Sequence, residues 1–98
     1  MVRELYADLN LLYLKLFQYE KYMGSSMIEP VFDRVNADIE TLQNQFNRRY
    51  SLSDMQLFEL LQLSDLKPFS NSNKVSLKDL LEEDCQHIEK LKQRIYIV

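Results

Sequence analysis

The run Glu82-Glu83-Asp84-Cys85-Gln86-His87 gathers the chain's only cysteine and only histidine beside three carboxylates. These are the residue types of metal ligation, thiol nucleophilicity and general acid–base chemistry. Glu83 and His87 stand four apart, so one helix face presents both to a metal. A structural zinc site takes about four ligands, and the chain supplies no second Cys or His. Cys85 and His87 are two apart and point to different sides of a helix, which disfavours a Cys–His catalytic pair. No glycine-rich phosphate loop is present. The expectation is a non-enzymatic chain with no catalytic residues, no metal and no cofactor.

Asp84 carries a different signal. It falls on the repeat Leu77, Leu81, Asp84, Ile88, Leu91, Ile95, which is otherwise an apolar seam. A carboxylate inside such a seam sets register or partner choice and requires an Arg, Lys or Tyr partner. The other reading is a helix rotated slightly, with Asp84 at the seam edge. Elsewhere, Arg48 and Arg49 beside Tyr50 suit the C-terminus of a helix as dipole complements. Phe69, inside a polar stretch, reads as a loop anchor or, alternatively, an exposed binding residue. The terminal Ile95-Tyr96-Ile97-Val98 is apolar and could dock on the body of the protein or in a partner's groove.

The elements that must hold these residues follow from periodicity. Leu5, Leu9, Leu12, Leu16, Tyr19 and Met23 recur at steps of four and three, and Ile28, Phe32, Val35, Ile39, Leu42 and Phe46 repeat the same steps. Both are seams of a helix packed on a helix. Pairing the lists end to end, from Met23 with Ile28 to Leu5 with Phe46, gives residue numbers that always sum to 51. An antiparallel hairpin bent at about residues 24 to 27 places each pair in one layer. Gly24 suits the helix end, Ser26 and Glu29 have capping-box spacing, and Pro30 favours a start of the second helix near residue 28 or 30.

A third helix is predicted over about 53–65, with Ser51 or Ser53 as N-cap. Its apolar residues point almost all round, as in a buried helix. The stretch 67–75 reads as a loop. Ser76 then caps a last helix over about 77–95, with acids early and bases late as the helix dipole favours. The fold class expected is all-α: a four-helix bundle-like single domain, residues 1–98, built on a hairpin of about 3–23 and 28–49.

Composition narrows the function classes. Twelve basic against 15 acidic residues give a net charge of −3, which makes nucleic-acid binding unlikely as the main activity. No run of about 18 apolar residues exists, so no membrane span is expected. The opening residues lack the order of a signal peptide, and the cytoplasm is the expected compartment. On helix 1, Tyr6, Tyr13 and Phe17 form one flank, expected to lie under helices 3 and 4. Leu11, Leu14 and Tyr22 lie roughly opposite the seam and form a candidate partner surface.

The segment "RRYSLSDMQLFELLQL" followed by "VSLKDLLEEDCQHIEKLKQRI" resembles the helices after the DNA-binding part of MerR-type regulators, where a short Ser-Leu-started helix precedes a long dimerisation helix. The likeness spans about half the chain and does not extend to a winged helix-turn-helix. The "GSS" hairpin is similar, in shape, to small bacterial helical-hairpin regulators of phosphorelay proteins. The reading that follows is a small helical protein that binds another protein as an adaptor or inhibitor, of the kind phages and mobile elements encode. Leu11, Leu14 and Tyr22 would be its apolar contacts, and Glu82, Glu83 and Asp84 its electrostatic ones. Alternatives are a homodimeric structural or regulatory module and a nucleic-acid-associated transcription regulator.

Overall fold

A computed structural model describes residues 1–66 and 76–96, with the backbone alone at Tyr96. The expected loop over 67–75, with Phe69, and the end of the apolar terminus lie outside the described residues. The chain forms four α-helices, α1 (Val2–Met23), α2 (Ser25–Tyr50), α3 (Leu57–Leu63) and α4 (Leu77–Tyr96), with a 3₁₀ turn at Leu52–Asp54. It is an all-α, bundle-like fold in which the α1–α2 hairpin packs with α3 and α4.

The hairpin seam forms as its period requires. Leu5, Leu9, Leu12, Leu16 and Tyr19 of α1 and Ile28, Val35 and Leu42 of α2 are buried. Removing one such leucine from water contributes about 1.5–3 kcal/mol. The flanking contacts fix the register: Gln43 donates to the Tyr6 hydroxyl at 2.9 Å, and Phe17 meets Phe32 edge-on at 5.1 Å.

The bend is tighter than the sequence suggests. Gly24 alone separates the helices, at φ 88°, a region that L side chains rarely adopt. A Cβ there would meet nothing within 4 Å, so glycine is required for its backbone and not for space. The expected capping box at Ser26 and Glu29 does not form, because α2 already begins at Ser25, with no side-chain cap. Pro30 therefore lies inside α2. The hydrogen bond it forfeits belongs to the Ser26 carbonyl, one turn earlier at an exposed position open to solvent.

The third helix also departs from expectation. Ser51 makes no side-chain cap and does not start α3: it ends α2 in the left-handed conformation and leads into the 3₁₀ turn, its N–H donating to the Asn47 carbonyl at 2.7 Å. The Asn47 side chain accepts from Ser53 N–H at 2.8 Å, and Leu52 between them is fully buried. The predicted helix over 53–65 thus splits into the 3₁₀ turn and the seven-residue α3. Nor is α3 buried all round. Leu60 is buried, while Leu57, Phe58 and Leu61 are each more than half exposed. A two-turn helix lying on α1 covers one side only.

The central element is α1, which packs against α2, α3 and α4. Its Tyr6–Tyr13–Phe17 flank, expected under the two later helices, instead contacts α2 through Gln43 and Phe32, and Phe17 stays 50% exposed. Those helices lie on the side of Ala7 and Asp8, both fully buried. Ser76 caps α4 as expected, its Oγ accepting from Asp79 N–H at 3.2 Å. Among the described residues no helix is long and apolar enough to cross a membrane.

Candidate functional site

Two buried carboxylates join α4 to α1, one contributed by each helix. Asp84 of α4 is 8% exposed. Its Oδ2 accepts from Lys15 Nζ at 2.7 Å and from Tyr19 Oη at 3.0 Å. Of the two sequence readings the seam position holds, and the partner types are those the burial of a carboxylate demands. Lys15 and Tyr19 lie four apart on α1 and so share a face, with the Lys15 ammonium 5.8 Å from the Tyr19 ring. Burial, and then the Asp84 charge and hydrogen bond, push the Tyr19 hydroxyl well above the ordinary tyrosine range.

Asp8 of α1 is wholly buried. Its Oδ1 accepts from Ser64 Oγ at 2.6 Å and from Asp65 N–H at 2.8 Å. Its Oδ2 lies 3.1 Å from His87 Nε2, and the Asp65 carboxylate stands 3.6 Å from the same nitrogen. Ser64 ends α3, its N–H bonded to the Leu60 carbonyl, and its Oγ also accepts from Leu66 N–H at 3.1 Å. The chain thus leaves α3 with two donors aimed at one carboxylate oxygen. Burial raises the Asp8 pKa above the ordinary aspartate value. Ser64, the Asp65 N–H and His87 oppose that rise, and the Asp65 charge adds to it.

The His87 partners are therefore Asp8 and Asp65, and Glu83 is exposed. Asp8, Asp65 and His87 bring three potential ligand atoms within 4.8 Å of one another. Sequence reasoning passed over both aspartates. Asp8 lies beside the α1 seam, and Asp65 follows α3 with no local pattern to mark it. One faint signal existed: Asp8 and Lys15, seven apart on α1, share a side and offer acid and base opposite the base and acid, His87 and Asp84, of an antiparallel α4.

Cys85 points away from His87, as its spacing implies. It lines a shallow, mainly apolar groove with Leu12, Val31, Val35 and Ile88. Burial, and then the Asp84 charge, raise its thiol above the ordinary cysteine range, which favours the unreactive protonated form. Lys92 bridges α4 to Asp38 of α2 at 3.0 Å. Arg48 and Arg49 sit exposed in the last turn of α2.

The candidate partner residues fall into two groups. Leu14 and Tyr22 are 49% and 75% exposed, whereas Leu11 is half-buried against the core. Glu82 and Glu83 are exposed, while the Asp84 carboxylate faces Lys15 and Tyr19. The apolar surface missed by sequence reasoning is Leu57, Phe58 and Leu61 of α3, since their period alone did not tell which side α1 would cover. Fold and surface define a small all-α bundle with exposed acids in the first half of its last helix and exposed apolar residues on α1 and α3. No family model matches the chain, no curated protein matches it, and no solved structure matches it.

Proposed function

We propose that this is a non-enzymatic helical protein that binds another protein and acts as an adaptor or inhibitor by covering part of its partner's surface. One observation carries the reading: Leu57, Phe58 and Leu61 fall on the outer side of α3, each more than half exposed. On a helix of seven residues such side chains stabilise little where they stand and add much when a partner covers them. Leu14 and Tyr22 of α1 extend the apolar contribution. Glu82 and Glu83 steer the approach to a basic rim on the partner. Asp84 is left to its internal ion pair. The cytoplasm, where a single thiol stays reduced, is the compartment in this reading.

The test is affinity capture by the wild-type chain set against Leu61→Glu and Leu14→Glu, with light scattering over a micromolar concentration range. The expected result is a steady monomer and a captured protein whose affinity falls roughly 30-fold in Leu61→Glu. Both variants should keep the wild-type unfolding midpoint, because the substituted side chains are exposed. A concentration-dependent dimer that Leu61→Glu splits would replace the foreign partner with a second copy of the chain. Capture unchanged in both variants would overturn the reading.

A further inference from the structure

We propose that Asp8, Asp65 and His87 form a three-ligand site for a divalent transition metal, zinc above all, that clamps α4 and the exit of α3 onto α1. The inference is independent of the protein-binding reading.

Two of the three donor–donor distances already stand near ligand spacing. Tetrahedral zinc with bonds of about 2.0–2.1 Å sets its ligand atoms about 3.3–3.4 Å apart. His87 Nε2 lies 3.1 Å from Asp8 Oδ2 and 3.6 Å from the Asp65 carboxylate, distances that bracket that edge. All three atoms converge within 4.8 Å although they come from α1, the α3 exit and α4.

The orientation of Asp8 is that of a held ligand. Ser64 Oγ and Asp65 N–H both donate to Oδ1, which leaves Oδ2 to face the ring nitrogen. Metal-bound carboxylates are commonly fixed by such outer hydrogen bonds. The charge balance points the same way. Two carboxylates face one ring nitrogen, which carries at most one proton to share between them. A doubly charged cation would neutralise both and leave the imidazole neutral. One nitrogen and two carboxylate oxygens suit zinc better than magnesium, which requires near-octahedral oxygen ligation. Asp65 is 66% exposed and His87 36%, so a metal enters from solvent and water completes the fourth position. The buried Asp8 forms the floor.

The experiment uses the untagged full chain, stripped with chelator and titrated with zinc or cobalt chloride alone. The expected result is saturable binding of one equivalent, a rise in the thermal midpoint, and the intense visible absorption of tetrahedral cobalt without a thiolate charge-transfer band. Asp65→Asn and His87→Gln, whose side chains are not needed to fill the core, should each weaken binding at least tenfold. Ser64→Ala, which removes an outer hydrogen bond, should weaken it about 10- to 100-fold. Cys85→Ser should bind as wild type. Three results would each overturn the site: no saturable binding by the folded wild-type chain, binding unchanged in His87→Gln and Asp65→Asn, or binding lost in Cys85→Ser.

Discussion

The two carboxylates that tie α4 to α1 solve one problem in different ways. Asp84 is answered by the Lys15 ammonium and by a phenol whose proton is tightly held. Asp8, more deeply buried, is answered by a hydroxyl and a backbone N–H, with the imidazole of His87 on its other oxygen. The first arrangement is an ion pair between two helices. The second is a hub that receives the end of α3 as well as α4. The charges also set direction. Acid then base along α1 meets base opposite the acid, and acid opposite the base, only when α4 runs antiparallel. The reversed helix would bring Asp84 towards Asp8 and lose both pairings. Buried polar pairs of this kind can specify an arrangement more than they add stability.

The sharpest way to break the comparison is to remove half of the ion pair. Lys15→Met leaves a buried carboxylate without its cation, and we expect a loss of about 3 kcal/mol, read from the shift of the urea unfolding midpoint at constant slope. Lys15→Met with Asp84→Leu should recover most of that loss, because the pair's worth is largely offset by the cost of taking it out of water. A double variant no more stable than the single one would show that Asp84 matters through something besides Lys15.

Removing the other carboxylate should cost less. Asp8→Ala strands the Ser64 hydroxyl and the Asp65 N–H, for an expected loss of about 1–3 kcal/mol in chelator-treated protein. The loss should appear first as faster hydrogen exchange at the end of α3, where Asp8 accepts from both Ser64 and Asp65. If exchange instead quickened along α4 before α3, the hub would belong to α4.

The smallest effect sharpens the contrast. Tyr19→Phe deletes one hydrogen bond to Asp84, for an expected loss of about 1 kcal/mol. The pH dependence has a definite sign. The folded pKa of Tyr19 is raised above its unfolded value, so the folded state holds the proton more tightly. That contribution is complete below the ordinary tyrosine pKa of about 10 and is lost as pH rises beyond it. In an ultraviolet titration of the six tyrosines, one phenol should ionise only as the protein unfolds, and Tyr19→Phe should remove that late component. Its persistence in the variant would assign the sealed phenol to another tyrosine.

Much of this fold could be read from local pattern. The mirrored apolar repeats on either side of the single glycine imply the α1–α2 hairpin, because a helix seam needs only a period and a bend needs only a residue free of a Cβ. The last helix was equally legible from Ser76 and its charge order. The 3₁₀ turn and the short α3 were not. Ser51 and Ser53 have the chemistry of caps, but Ser51 turns left-handed to end α2, the Ser53 N–H bonds the Asn47 side chain, and α3 starts after Gln56. The apolar run at Leu57–Leu63 gives no sign of which side α1 would cover.

The candidate sites divide along the same line. The sequence determined by itself that Asp84 stands on an apolar stripe and that Cys85 and His87 diverge, since both follow from 3.6 residues per turn. Only the tertiary structure decided that Asp84 meets Lys15, 69 residues away, and that Asp8 meets His87, 79 residues away. Helix period fixes which face a side chain occupies. It does not fix the rotation, direction and axial offset of the helix opposite, and those three quantities choose a buried charge's partner.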